Sequence, residues 1–285
     1  MKSLGQEDFA FLARLLRRRS GLSLTPAKLD LVERRLTPVM HRFGFKNASG
    51  LVRELRLGQE SLARAVTEAV TVQDTAFFRD TATFTRFEQE LLPAMLRARA
   101  DTRRLRIWSA ACATGQETWS IAMILDRLDL AAQGWSVDLI ATDLCATAIA
   151  RAEEGRYDEL EMERGLTAVQ RANWFHPSGE HWCIADHLRR MAHFRVFNLL
   201  DSYGWLDDID FIFCRNVLMY FDRDAKAGVL ERMADTLATD GLLLLGETEN
   251  PEPLLQVFSD APGGHGIYAK SGAAALRELG QRLSA

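Results

Sequence analysis

The sequence predicts a doubly wound α/β sheet, preceded by an all-α domain and interrupted by a small antiparallel β-insertion. Three observations predict it. Residues 105–120, LRIWSAACATGQETWS, read as a strand, a turn of small residues and the start of a helix, the opening unit of such a sheet. IDFIFC at 209–214 and GLLLLG at 241–246 are near-continuous apolar runs, the pattern of parallel strands covered on both faces. Residues 1–70 place their apolar side chains at helical spacing.

A chain of 285 residues suggests about two domains, and 47% hydrophobic against 26% charged residues allows a sizeable core. No apolar run approaches the roughly 18 residues of a membrane span, so no membrane insertion is expected. The start, MKSLGQEDFA, lacks the apolar region of a signal peptide. Cys112, Cys145, Cys183 and Cys214 are scattered and form no C-x-x-C, which suits small core hydrophobes in a reducing cytoplasm. The net charge of −4 hides an asymmetry: residues 1–70 carry 13 Lys/Arg against 7 Asp/Glu, and the remainder 22 against 32. A basic helical part suggests an acidic partner, although solvated Arg-rich helices would give the same balance.

The elements follow in order. Phe9, Leu12, Leu15 and Leu16 mark a first helix, ended by Gly21. Thr25 and Pro26 are expected as N-cap and first residue of the next, with Leu29, Val32, Leu36, Val39 and Met40 on its apolar face. Pro38 lies inside that pattern and is expected to kink or divide it. Shorter helices are expected at 48–57 and 61–70. The absence of a helix-turn-helix glycine pattern and of interleaved aromatics argues against nucleic acid as the partner. TVQDTAFFRD at 71–80 then joins hydrogen-bonding side chains to Phe77, Phe78 and Arg79. It is either a linker whose aromatics plug the core or a polar cover over a ligand. Phe84, Phe87, Leu91 and Leu92 continue it as a helix up to Pro93.

In the turn of the opening unit, small side chains from Ser109 to Gly115 would let a ligand approach the backbone, beside a helix N-terminus. A plain tight turn would have the same composition. A second strand at 137–142 ends at Asp143, 28 residues beyond Gly115. An acid there can accept hydrogen bonds from both hydroxyls of a ribose, or cap the helix at 146–151. Residues 155–200 are irregular, with a small β-insertion before a strand at 193–198. His176, His181, His187 and His193 fall here at spacings that match no zinc pattern, so no metal is expected. The strand at 209–214 leads into Arg215, Asn216 and Tyr220. The strand at 241–250 is entered by an expected turn at Asp240 and Gly241, and 266–270 closes the sheet.

Five blocks together resemble one family, the CheR-type chemotaxis receptor methyltransferases: GLSLTPAKLDLVERRL, TVQDTAFFRD, RIWSAACATGQETWSIA, IDFIFCRNVLMYFD and GLLLLGETEN. The resemblance covers roughly residues 5–270. It implies transfer of a methyl group from S-adenosylmethionine to receptor glutamates, giving methyl esters and the product S-adenosylhomocysteine. It also implies a division into a basic helical domain (1–70), a linker that covers the cofactor (71–95), a methyltransferase α/β domain (96–271, β-subdomain about 174–197) and a tail (272–285). The cofactor positions that carry over are Gln73, Thr75, Arg79, Gly115, Glu117, Asp143, Asn198, Leu199, Arg215 and Asn216. Arg79 and Tyr220 are the implied catalytic pair, Arg79 orienting the carboxylate or cofactor and Tyr220 hydrogen-bonding near the transferring methyl. A glutamate carboxyl ordinarily titrates near pH ~4.3, so it is already anionic at neutral pH and needs no general base.

The chain departs from the family pattern at Gln73 (usually Asn), at Gln116-Glu117-Thr118 (usually Glu-Glu-Pro) and at Gly246-Glu247-Thr248-Glu249 (usually Gly-His-Ser-Glu). Pro38 and Val39 fall where the receptor-facing helix is often Arg-rich. The implied partner is a chemoreceptor cytoplasmic domain, met by basic helices that include Arg34 and Arg35, and the protein is expected to be a monomer. Some members hold a receptor C-terminal pentapeptide as an added strand on the β-subdomain. Here WFHPSGEHWCIAD at 174–186 is compact, with one glycine next to Pro177, and no such tether is expected. Two other readings remain: a module that binds S-adenosylmethionine or S-adenosylhomocysteine with little turnover, and a methyltransferase for another acceptor.

Overall fold

The structure is a computed structural model that describes residues 4–271; residues 1–3 and the expected tail at 272–285 lie outside the described residues. The chain folds as two units. The first comprises the residues up to Val72 together with Met219–Lys226; the second comprises Gln73–Leu218 and the residues from Ala227 onward.

The helical unit contains α1 (Gln6–Ser20), α2 (Leu29–Phe43), α3 (Ala48–Arg56) and α4 (Glu60–Val70). Leu12, Leu16, Leu36, Leu51, Leu62 and Val66 form its fully buried centre. Gly21 adopts the left-handed conformation and closes α1 by donating its N–H to the Arg17 carbonyl. Thr25 and Pro26 begin a single 3-10 turn, Pro26–Lys28, not α2 itself, and the Thr25 side chain makes no capping bond. Pro38 does not divide α2. Its missing N–H removes one helical bond, but Val32 and Leu36 before it and Val39 and Met40 after it are all buried, so packing holds both halves in one helix. Arg35, expected to face a receptor, instead donates from Nη1 to the carbonyls of Val70 (2.6 Å) and Thr71 (3.1 Å) and caps the end of α4. Arg34 remains exposed.

The segment Met219–Lys226, which the expected boundaries placed in the α/β domain, packs with these helices. Leu22 bridges Phe221, the Ser23 N–H donates to the Tyr220 carbonyl at 2.8 Å, and Arg17 pairs with Asp222.

Among the described residues the α/β unit holds ten strands: β1 (Arg104–Ala110), β2 (Ser136–Asp143), β3 (Arg156–Tyr157), β4 (Phe175–Ser178), β5 (His181–Ile184), β6 (Ala192–Val196), β7 (Ile209–Cys214), β8 (Leu237–Leu245), β9 (Phe258–Asp260) and β10 (Ile267–Lys270). Seven form one sheet in the order β6-β2-β1-β7-β8-β10-β9, parallel from β6 to β8 and antiparallel at β10 and β9. The chain runs outward from β1 through β2 to β6, then returns to the other side of β1 as β7. That reversal creates a crevice at the carboxyl ends of β1 and β7, the place where open α/β sheets bind ligands. The fold class read from the sequence is the one observed.

Three local readings differ. The small sheet, ordered β3-β5-β4, takes its third strand from Arg156–Tyr157; the strand expected at 193–198 forms as 192–196 and pairs with β2 in the large sheet, so the expected subdomain bounds of about 174–197 run too far at that end. Asp240 and Gly241 lie inside β8, not in a turn before it. The register jumps from Ile209 opposite Leu237 to Phe211 opposite Leu242, so the extra residues form a bulge. The helix expected to stop at Pro93 continues: after α5 (Thr81–Arg86), a wide π turn at Phe87–Leu91 leads into α6 (Leu92–Ala98) with Pro93 in its first turn, where its missing N–H costs little.

The bulge places Asp240 against Arg99, which donates from Nη2 and Nη1 to its two oxygens at 2.6 and 3.0 Å and from Nε to Asp210 at 2.8 Å. Asp210 also accepts the Arg106 N–H at 2.8 Å. Burial pushes the Asp210 carboxyl up from its ordinary range, against that N–H and Arg99. Removing the cation leaves a buried anion, and Arg99→Ala is expected to cost about 2–4 kcal/mol at pH 8. A raised carboxyl favours the folded state at low pH and loses that contribution as pH rises through its folded value. Without Arg99 that value rises further, so the deficit narrows on acidification. Urea unfolding at pH 8 and pH 5.5 checks this; an equal deficit at both would exclude Asp210 as its source.

Candidate active site

The site begins with the turn after β1. Ala111 (φ 58°), Ala113 (φ 50°) and Gly115 (φ 93°) are all left-handed. Gly115 caps α7 (Gln116–Arg127), and a Cβ there would lie 2.8 Å from that of Ala152. Alanine resists this conformation and holds it only where its surroundings fix it. Here the Cys112 N–H donates to the Thr142 carbonyl (2.9 Å), the Ala113 N–H to Asp143 Oδ2 (2.9 Å), and the Tyr157 hydroxyl to the Thr114 carbonyl (2.7 Å). The result is a shaped backbone concavity whose side chains are no larger than threonine.

Asp143 ends β2 and is 7% exposed. Its other oxygen, Oδ1, accepts the N–H of Cys145 at 2.8 Å. Cys145, not Asp143, is the N-cap of α8 (Ala146–Glu154). The Asp143 carbonyl accepts the Phe197 N–H at 2.9 Å, which brings the stretch after β6 to the same end of the sheet. There Asn198 Oδ1 accepts the Leu200 N–H (3.0 Å), and the Leu199 carbonyl accepts from the Tyr203 hydroxyl (2.8 Å) and Arg232 Nη2 (2.9 Å).

Arg215 follows β7, its side chain 1% exposed. Nη1 donates to Glu117 at 3.1 Å; Nη2 donates to the Arg79 carbonyl at 2.8 Å and the Asp80 carboxylate at 2.6 Å. Its guanidinium carbon lies 5.3 Å from the centre of the Phe84 ring, and its Nε has no partner among the described residues. Glu117 also accepts from the Ser109 hydroxyl at 3.0 Å. Burial pushes the Glu117 carboxyl up, while Arg215 and Ser109 favour its anion. The Phe78 N–H donates to Ser120 Oγ at 2.9 Å, so the linker is fastened to α7 directly here and, through Arg215, at Glu117. The Arg79 guanidinium donates to the Asp74 carbonyl at 2.9 Å and keeps 36% of its side-chain surface exposed. Gln73 and Thr75 line a pocket of about 150 Å³ with Thr114, Gln116, Arg151 and Arg164. Gln116 accepts from the Thr114 hydroxyl at 2.8 Å and donates to Glu161 at 3.3 Å.

The ten expected cofactor positions thus lie in one unit, in the linker and at the carboxyl ends of β1, β2, β6 and β7. Tyr220 belongs to the helical unit: it lies in a short 3-10 turn, packs on the helical core and has the Lys28 ammonium 5.8 Å from its ring centre. Sequence reasoning missed Glu249, 6% exposed, whose Oε2 accepts the N–H groups of Asn216 (2.6 Å) and Gly246 (2.9 Å). It also missed Tyr203 and Arg232. Both reach a backbone carbonyl, and such contacts leave no spacing signature in a sequence.

Residues 73–265 match the family described as "CheR methyltransferase, SAM binding domain", and residues 7–71 match "CheR methyltransferase, all-alpha domain". The chain is 37% identical over 251 residues to chemotaxis protein methyltransferase 1 of Pseudomonas aeruginosa, covering 87% of this chain and 91% of that one. It is 35% identical over 272 residues to a chemotaxis protein methyltransferase of Vibrio parahaemolyticus, covering 94% and 98%. The residues present fit S-adenosylmethionine: a buried carboxylate at the end of β2 suits ribose hydroxyls, and the small-residue turn admits close approach to the backbone. The chain belongs to the CheR methyltransferase family, and its α/β unit carries that family's S-adenosylmethionine-binding domain.

Proposed function

We propose that this protein methylates glutamate side chains on the cytoplasmic helices of a chemoreceptor. The observation that carries the reading is the chemistry of the crevice. The turns that follow β1, β2 and β7 contain no histidine to serve as a base, and Arg79 offers a partly exposed guanidinium in the linker. An acceptor that is already anionic needs orientation and desolvation, not deprotonation. The relatives are named chemotaxis protein methyltransferases, which supports methyl transfer within chemotaxis. When bound, S-adenosylmethionine supplies an electrophilic methyl group. Asp143 would hold the ribose, residues 198–199 and 215–216 would hold the rest of the cofactor, and Arg79 would orient the acceptor carboxylate. Tyr220 would hydrogen-bond near the transferring methyl, a role that rests on the family resemblance.

The exposed Arg14, Arg18, Arg34, Arg42 and Lys46 of the helical unit support docking of an acidic receptor helix. No pentapeptide tether is proposed. The β4–β5 hairpin turns tightly between Ser178 and His181, and Pro177 on edge strand β4 has no N–H to offer an added strand.

With radiolabelled S-adenosylmethionine and a receptor cytoplasmic fragment, the expected product is a methyl group released as methanol by alkali. Alkali-stable label would exclude the ester. Asp143→Ala is expected to weaken S-adenosylhomocysteine binding by about 1.5–3 kcal/mol, the range for hydrogen bonds to a charged group, read by calorimetry on a folded variant. Receptor methylation is expected to fall with rising salt, since the Debye length is about 8 Å at 0.15 M, while S-adenosylhomocysteine affinity stays nearly constant. Charge reversal at Arg34 and Arg42 should raise the receptor KM. Arg35 is unsuitable for this purpose because its loss would uncap α4. Salt-independent methylation would make the basic face incidental.

A further inference from the structure

Resting on the reading that Asn216 contacts the cofactor, we infer that Glu249 is the positioning residue for that contact. It acts as a carboxylate latch across two strand ends.

β7 and β8 run parallel and last pair at Cys214 and Leu245. Beyond that pair the strands diverge, and the N–H groups of Asn216 and Gly246 would be left without ladder partners. One oxygen, Glu249 Oε2, accepts both, at 2.6 and 2.9 Å. The Glu249 N–H returns to the Gly246 carbonyl at 2.9 Å, so residues 246–249 form a closed turn that aims the carboxylate back at β7. Asn216 is left-handed, φ 58°, a conformation held only where the surroundings fix it. Its N–H is the group the latch grips.

Gly246 completes the arrangement. A Cβ at this position would lie 2.6 Å from Asn216 Nδ2 and 2.8 Å from Glu249 Oε2. The Asn216 side chain is therefore packed on the Gly246 backbone while its N–H is held by Glu249. The two residues hold Asn216 together, since Glu249 Oε2 also accepts the Gly246 N–H.

The experiment is calorimetric titration of S-adenosylhomocysteine into the full chain and its variants, with thermal melts to establish folding. Asn216→Ala is the reference. If it binds like the wild type, the assignment of Asn216 to the cofactor fails, and the inference with it. If it weakens binding, Glu249→Ala is expected to weaken it at least tenfold. Glu249→Gln, which keeps an oxygen acceptor, should stay within about threefold of the wild type. In the Asn216→Ala background, Glu249→Ala should add less than twofold, because the residue it positions is already gone. Gly246→Ala, whose Cβ crowds both the Asn216 side chain and Glu249 Oε2, should reproduce the loss and serves if Glu249→Ala does not fold. Full additivity of the Asn216 and Glu249 substitutions, or wild-type affinity in Gly246→Ala, would overturn the inference.

Discussion

The buried guanidinium of Arg215 is the interaction on which the cofactor side of this protein depends. It is a fixed cation at the carboxyl end of a central strand, held by the Glu117 and Asp80 carboxylates and by the Arg79 carbonyl. Taking such a group out of water is costly, and the cost is recovered only when geometry and partners are good. The partners come from two elements that need a common reference: Glu117 from the first turn of α7, and Arg79 and Asp80 from the linker. A single planar fork fixes both against β7. A lysine, with one compact charge, could not span the same three acceptors.

Around that fixed point, backbone geometry is held by carboxylates. Asp143 grips two N–H groups at the ends of β1 and β2; Glu249 grips two at the ends of β7 and β8. The pattern follows from topology. Parallel strands fan apart beyond their last pair, and their terminal N–H groups point into the crevice where a ligand must also bind. An acidic side chain there satisfies the donors without closing the space. The left-handed residues Ala111, Ala113 and Asn216 sit beside these grips, so their strain is localised at the rim of the crevice.

The large features were legible in the sequence because each has a periodic or compositional signal. Continuous apolar runs gave β7 and the second half of β8, and the small-residue turn before α7 gave the crevice. The local errors share a physical cause. Pro38 was read by its own cost, but the buried residues on both sides of it decide whether α2 continues. Asp240 and Gly241 have turn composition, yet the β8 ladder starts before them and absorbs them as a bulge. Arg35 looked like part of a charged face, but its target is a pair of backbone carbonyls 35 and 36 residues away. Glu249 was seen only as part of a run that departs from the family. In the last three cases the deciding partner is backbone, brought near by tertiary structure and carrying no residue-type signal.

The path of the chain through Met219–Lys226 bears on how such a protein can change over evolution. A helical unit that meets the partner would be a natural piece to exchange between relatives with different targets. Here that unit is not one stretch of sequence: Leu22, Ser23 and Arg17 are matched to Phe221, Tyr220 and Asp222, almost two hundred residues later. A recombination crossover near residue 72 would separate each of these pairs from its partner. Residues 1–72 and 219–226 therefore have to be inherited together, and the helical unit cannot diverge independently of the strand end that leads into Tyr220.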